Sequence, residues 1–193
     1  MKIYDNFISK HEALILKKYI VETEEEVKSL GDDLYYGTAD NSLTGRWTVH
    51  NYLRNKTCAD ILLPKLTKVL PNFFYITMWA NIFRTGEYIK PHDHGTATIS
   101  GNLFIDGYED SETMYEEHGA VKNKIGTLVT FPAETTHWVE KNKTDIPRIS
   151  MAFDTLFFNP AKTYPEVTEF VPVGNHLENG VFYNHIYLSH DRS

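Results

Sequence analysis

Three adjacent residues in the segment YIKPHDHG (88–95) have side chains that can bind a metal ion: His92, Asp93 and His94. On an extended chain, neighbouring side chains point to opposite faces, so the two histidines project to one side and could share an ion. Asp93 would then face away, where it could orient one of the imidazoles. An irregularity after Pro91 could instead turn Asp93 inward as a ligand, because bulges beside active sites redirect side chains. The simplest alternative is a pair of histidines that only form hydrogen bonds within a loop.

A third histidine, His137, follows the strand-like segment GTLVTFPA and could complete a three-point site. Three protein ligands on one face of an octahedral ion leave three positions open for substrate and oxygen. Arg148 and Ser150 lie eleven and thirteen residues further on, and alternation places them on one face of the segment RISMAF. A guanidinium beside a hydroxyl is suited to hold a carboxylate by paired, charge-assisted hydrogen bonds. The alternative for Arg148 is a surface ion pair with a nearby acid such as Asp145.

Two segments in the first third of the chain have helical patterns. In residues 6–30, Ser9 can cap a helix and Glu12 is its capping-box partner. In residues 57–70, Pro64 either interrupts a second helix or begins it. We expect a helical support region over residues 1–70, with its helices packed on one sheet.

Strand patterns dominate the rest of the chain. KIYDNF (2–7) is predicted to be a short strand or an extended entry to the first helix, and RWTVHNYLR (46–54) a strand. From Phe73 onward the apolar residues follow the period of strands. Five such segments are FFYITMWANIFRTG, TATISGNLFIDG, KIGTLVTFPA, THWVEKN and RISMAFDTLFF. Helices followed by a series of strands predict a mostly β single domain over residues 1–193, with a core at 73–158. The C-terminal extension, 159–193, could add strands or contact a second subunit in a homodimer.

Composition narrows the possible partners. The net charge of −7 argues against a general phosphate-binding surface, so no nucleic acid is expected. A single cysteine, Cys58, excludes an internal disulfide and a zinc site built from cysteines. Because no stretch has the apolar length of a membrane span or a signal peptide, we expect no membrane attachment and a cytoplasmic location.

An ordered series of short motifs resembles the iron(II)/2-oxoglutarate-dependent oxygenases. It runs W-x-N-x-x-x-x-G-x-Y-x-x-P-H-x-H, S-G, G-x-L-V-x-F-P, H-x-V and R-I-S, over about residues 73 to 158. Within that superfamily it is most similar to the group whose first motif is H-x-H rather than H-x-D. The residues that carry the resemblance are Trp79, Asn81, Gly86, Tyr88, Pro91, His92, His94, Ser100, Gly101, Gly126, Leu128, Val129, Phe131, Pro132, His137, Val139, Arg148, Ile149 and Ser150.

The resemblance implies a double-stranded β-helix, also called a jelly roll or cupin-like fold, that holds Fe(II) through His92, His94 and His137. 2-Oxoglutarate would be the cosubstrate, with its far carboxylate on Arg148 and Ser150. Succinate and CO2 would be released while an unidentified small-molecule or other substrate is oxidised, most simply by hydroxylation. Two further candidates to line the cosubstrate or substrate pocket are Asn81 and Tyr88, although a core or turn role suits either equally.

His94 departs from the more common pattern of these enzymes, in which a carboxylate stands at this position. Three neutral imidazoles leave the double charge of the iron in place until 2-oxoglutarate binds. Such a site is expected to hold free Fe(II) more weakly and to tolerate softer ions such as Zn or Ni. A triad that contains Asp93 stays open as the alternative.

Two other functions fit the same residues. One is a cupin-like three-histidine metalloenzyme that does not use 2-oxoglutarate, for which Arg148 and Ser150 would have no role. The other is a non-catalytic jelly-roll binding module, in which Trp47, Trp79 and Trp138 could stack on sugars, although each is more typical of a core.

Overall fold

Two antiparallel sheets form the framework of the computed structural model, which describes residues 1–30, 43–47, 49–70, 73, 75–95, 97–108, 110–156, 171–178 and 181–186. The larger sheet contains β1 (Lys2–Tyr4), β2 (Tyr75–Phe83), β4 (Ile99–Asp106), β7 (Leu128–Pro132), β9 (Arg148–Leu156), β10 (Val171–Glu178) and β11 (Val181–Ile186). Its strand order is β1-β7-β4-β9-β2-β10-β11.

The smaller sheet contains four strands in the order β3-β8-β5-β6. Their bounds are β3 (Ile89–His92), β5 (Glu112–Tyr115), β6 (Gly119–Lys122) and β8 (His137–Val139). The predicted mostly β architecture is confirmed, and all five strand segments after Phe73 contain strands.

Three α-helices cover the outer face of the larger sheet: α1 (Lys10–Glu22), α2 (Glu24–Lys28) and α3 (Lys56–Val69). The predicted capping box at the start of α1 is present, since the backbone N–H of Glu12 donates to Ser9 Oγ and that of Ser9 to the Glu12 carboxylate. Leu16 and Leu62 belong to the same buried cluster as Met78, which lies on the larger sheet. The expectation that the helices pack on one sheet is therefore confirmed.

The prediction that Pro64 interrupts or begins the second helix is wrong, because α3 runs through it. The helix begins at Lys56, where the Asn55 side chain accepts from two backbone N–H groups. Pro64 removes only the hydrogen bond to Asp60, and both residues lie on the exposed side of the helix, where water can replace it.

The prediction of a strand at residues 46–54 is also wrong. One short 3₁₀ helix, Leu43–Arg46, ends where this segment begins, and a second, Tyr52–Arg54, forms its last three residues. The buried side chain of Asn51 accepts from the N–H groups of Leu53 and Met78 and donates to the carbonyl of Ile76. These hydrogen bonds, one within the turn and two to β2, hold the segment in a turn and prevent it from forming an extended strand.

Alternation along the central strands separates an apolar face from a polar one. On β9, Ile149, Met151 and Phe153 point to the helices and belong to the main core cluster. The alternate residues Arg148, Ser150 and Asp154 point toward the smaller sheet, where they line a cavity. All nine residues of β9 are buried, because the strand is covered on both faces.

Two strands come from the C-terminal extension. The start of β10 pairs with β2 at Val171↔Ile76, and β11 pairs with β10. The division of the chain into support region, core and extension stays a prediction. Across the described ranges, no helix combines the length and the apolar character needed to cross a membrane.

A pair of leucines on α1 tests whether this helix stabilises the sheet. Leu16 is 0% exposed and Leu14 is 61% exposed. Leu16→Ala is expected to lower the free energy of unfolding by about 2–5 kcal/mol, because it leaves a cavity in the core. Leu14→Ala should stay within about 0.5 kcal/mol of wild type. Urea unfolding measures both, and equal costs would show that α1 does not pack as described.

Candidate active site

The ends of β3 and β8 bring two of the predicted ligands together. His92, the last residue of β3, pairs directly with His137, the first residue of β8. The register of this pairing shifts between Ile89 and His92, the stretch of β3 that contains Pro91. His94 follows two residues later and is held in place by its backbone N–H, which donates to the carbonyl of Ala133 at 2.9 Å.

The three imidazoles converge. One nitrogen from each of His92, His94 and His137 lies within 4.8 Å of the other two. Their ring centroids are 4.3 Å (His92–His137), 4.9 Å (His94–His137) and 5.4 Å (His92–His94) apart. Such spacing lets one ion be bound by all three rings.

Hydrogen bonds at Nδ1 orient each ring. His92 Nδ1 lies 2.8 Å from the carbonyl oxygen of Lys90, and His137 Nδ1 lies 2.9 Å from that of Thr135. His94 Nδ1 lies 2.6 Å from Asp154 Oδ1. Because carbonyl and carboxylate oxygens only accept, each Nδ1 carries the proton and each Nε2 keeps a free lone pair. All three histidines thus present the same tautomer, the one that binds a metal through Nε2.

Burial keeps two of these imidazoles neutral. It lowers the pKa of His92 and lowers that of His137 to about 3, with a smaller contribution from the neighbouring histidines. The neutral form is the one that donates a lone pair to a metal, so burial favours the binding-competent state.

The orienting role that the sequence suggested for Asp93 falls to Asp154 in the structure. The exposed carboxylate of Asp93 accepts from the backbone N–H of Gly95 at 2.8 Å, and Asp93 is not part of the histidine cluster. Asp154, which the sequence reasoning missed, supplies the carboxylate that orients His94. The sequence pattern does indicate this position, because Asp154 lies on the same face of β9 as Arg148 and Ser150.

Arg148 is buried, and none of the residues that the structure describes gives it an acidic partner. Its side chain is 1% exposed, donates to Ser150 Oγ at 3.1 Å and to Thr113 Oγ1 at 2.8 Å, and lies against the rings of Phe83 and Phe104. Burial lowers its pKa to about 10, which still leaves it charged at neutral pH. Among the described residues no carboxylate forms a salt bridge with it, so the alternative of a surface ion pair with Asp145 is wrong.

One cavity of about 210 Å³ joins the histidines to Arg148 and Ser150. Asn81 lines it as well, accepting from Thr44 Oγ1 at 2.7 Å and contacting Ser150 Oγ at 3.5 Å. Tyr88 does not line it. That residue borders a separate depression beside Trp138, on the outside of the smaller sheet.

The donor set and the charges of the cavity fit a divalent ion together with a small anion. Three neutral nitrogens are ligands for Fe(II), Ni(II) or Zn(II), and they add no charge of their own. Arg148 adds a fixed positive charge at the other end of the cavity. An acidic ligand that reaches from the ion to Arg148 would compensate both.

Comparison with solved structures supports the same fold. The prolyl-4-hydroxylase from Pseudomonas putida matches with a TM-score of 0.58 at 14% identity, over 82% of this chain and 92% of that one. The viral collagen prolyl hydroxylase from Paramecium Bursaria Chlorella virus-1, solved as a 2OG complex, has a TM-score of 0.58 at 13% identity, with coverages of 80% and 95%.

A third match is the prolyl hydroxylase from Trichoplax adhaerens, solved with a peptide fragment of the hypoxia inducible factor oxygen degradation domain. Its TM-score is 0.54 at 11% identity, with coverages of 81% and 83%. No family model and no curated protein sequence matches the chain. The resemblance to the iron(II)/2-oxoglutarate-dependent oxygenases is thus confirmed at the level of the double-stranded β-helix fold, on which these proteins and this chain agree.

Two histidine variants test whether the cluster binds a metal. His137→Ala is expected to weaken Co(II) or Fe(II) binding by more than about 100-fold, because even the loss of an outer partner of a ligand costs 10–100-fold. His118→Ala is the control, since His118 is exposed on the turn between β5 and β6. Anaerobic calorimetry gives both affinities, and equal effects of the two variants would contradict the proposed ligand set.

Proposed function

We propose that the protein is an iron(II)- and 2-oxoglutarate-dependent oxygenase that hydroxylates an unidentified substrate. The observation that carries this proposal is the pairing, in one cavity, of three convergent imidazoles with a buried guanidinium that has no acidic partner among the described residues. The three imidazoles are suited to a divalent ion, and the guanidinium is suited to the far carboxylate of a small diacid.

His92, His94 and His137 would hold the iron through their Nε2 atoms. Arg148 would bind the far carboxylate of 2-oxoglutarate, assisted by the hydroxyl groups of Ser150 and Thr113, which already contact the guanidinium. Iron and 2-oxoglutarate, once bound, would supply the oxidative chemistry with dioxygen as the oxidant: 2-oxoglutarate takes one oxygen atom and becomes succinate and CO2, and the other oxygen atom hydroxylates a substrate C–H bond. The protein contributes orientation of these groups and exclusion of water.

Thr113 pre-orients the guanidinium before the cosubstrate arrives. Its hydroxyl accepts from Arg148 and contacts the side chains of Asn102 and Asn123, all of them buried. A donor held in one geometry loses little conformational freedom on binding, which strengthens recognition of a planar carboxylate. We therefore include Thr113 with Arg148 and Ser150 as a cosubstrate-binding residue.

Apolar side chains surround the charged groups of the cavity. Phe83, Ile89 and Val139 form a buried cluster that joins the two sheets, and Phe131 lies against His137 at a centroid distance of 4.7 Å. A wall of this kind limits water around the ion, and the low local dielectric strengthens the interaction of Arg148 with an anion.

The buried Arg148 also argues against the two other functions. A three-histidine metalloenzyme that does not use 2-oxoglutarate has no need for a charge at this depth. A binding module would have no reason to bring three imidazoles of one tautomer together beside it. The solved relatives with the same fold include one with 2OG bound, which supports the choice of this diacid.

Turnover of the cosubstrate tests the proposal directly. With Fe(II), ascorbate and 2-oxoglutarate, the wild-type protein is expected to release succinate slowly even without a substrate. Mass spectrometry of the reaction mixture measures it. Absence of succinate under these conditions, with the metal bound, would favour a protein that does not use 2-oxoglutarate.

Variants of Arg148 separate recognition of the diacid from binding of the metal. Arg148→Met is expected to raise the KM for 2-oxoglutarate at least about 30-fold, the equivalent of about 2 kcal/mol for a truncated buried charge pair, and to leave the metal content unchanged. Arg148→Lys keeps the charge without the planar fork and should lie between Met and wild type. Loss of metal in both variants would indicate a structural arginine instead.

A further inference from the structure

Asp154 is a buried carboxylate whose contacts all lead toward the histidine cluster. It is 8% exposed and lies on β9 opposite Ser100 of β4. Its Oδ1 accepts from Ser100 Oγ at 2.5 Å and from His94 Nδ1 at 2.6 Å, and Ser100 Oγ is itself 3.0 Å from His94 Nδ1. The three groups form a closed triangle behind the imidazole, on the side away from Nε2.

No described lysine or arginine compensates the carboxylate of Asp154. Within the described part of the chain, the imidazole of His94 is the one basic side chain that it contacts. Ionising a buried carboxylate is costly unless a positive charge lies nearby, and proteins usually provide that charge by a cationic side chain or a metal ion. A divalent ion on Nε2 of His94 would provide the missing positive charge across the ring.

His94 differs in this respect from the other two histidines. The Nδ1 atoms of His92 and His137 face neutral backbone carbonyls, whereas that of His94 faces a carboxylate. A carboxylate behind an imidazole fixes the tautomer and raises the electron-donating strength of the ring toward a metal. The three rings are therefore unequal, and His94 is the strongest donor among them.

We propose that Asp154 is a positioning residue that acts through His94 and supplies the negative charge of an otherwise neutral metal site. Ser100 holds the carboxylate in line with Nδ1. The His94–Asp154 pair thus places a negative charge near the ion, as a carboxylate ligand would, while the three ligand atoms remain nitrogens. This inference rests on the proposed function in that it takes the histidine cluster to bind a divalent metal.

Metal affinity tests the inference, with stability as a second readout. Asp154→Asn is nearly isosteric, and the amide oxygen can still accept a hydrogen bond from His94 Nδ1. The substitution therefore removes the negative charge and leaves the shape of the side chain almost unchanged. It is expected to weaken Co(II) and Fe(II) binding by about 10–100-fold and to alter the visible absorption of bound Co(II). The thermal midpoint of the metal-free protein should stay within about 4 °C of wild type, the shift that about 1 kcal/mol produces in a chain of this size.

Two comparisons isolate the route through His94. Asp93→Asn removes an equal charge from an exposed carboxylate of the same cavity that hydrogen-bonds to the Gly95 N–H instead of a histidine ring, and metal affinity should change much less than with Asp154→Asn. In a His94→Ala background, Asp154→Asn should have almost no further effect on the remaining affinity, because the ring that transmits the charge is gone.

The outcomes are distinguishable. If wild-type protein binds no Co(II) or Fe(II), the proposed function fails together with the inference. If wild type binds and Asp154→Asn binds equally well, or if the effects of the two substitutions simply add, only the inference is overturned. Should Asp154→Asn not fold, Asp154→Ser removes the charge with a smaller side chain and is judged by the same two results.

Discussion

The interior of this protein depends on two buried charges of opposite sign that share one face of β9 and do not pair with each other. Arg148 and Asp154 lie six residues apart, about 20 Å along an extended strand. A serine accompanies each one: Ser150 contacts the guanidinium and Ser100 contacts the carboxylate. Uncompensated buried charges are costly, so the proposed diacid and metal ion would each supply the charge that is missing at one end of the strand.

The two sheets divide the work of building this site. The larger sheet provides the charged and polar groups from the inward faces of β2, β4 and β9, and the smaller sheet provides two histidines where β3 and β8 pair. Polar residues on an inward face weaken the hydrophobic core between the sheets. The cluster under α1 and α3 on the opposite face of the larger sheet offsets this, since it buries most of the large apolar side chains.

Much of what the sequence predicted correctly depends on interactions between residues that are close together in the chain. The capping box of Ser9 and Glu12, the strand period after Phe73 and the shared face of Arg148 and Ser150 all depend on contacts within a few residues, and the structure contains each of them. The reason for a glycine at position 101, inside β4, lies instead in packing between strands and not in such local contacts. A Cβ at that position would overlap the ring of Phe153 on the neighbouring strand.

By itself, the sequence determined which residue types could do the chemistry and on which side of their own strand they lie, because alternation is a property of the backbone. Only the tertiary structure decided their partners. It paired His94 with Asp154, sixty residues away, left Asp93 on a backbone N–H, and placed Tyr88 outside the cavity. Those outcomes depend on strand register and sheet packing, which are set by long-range burial rather than by neighbours along the chain.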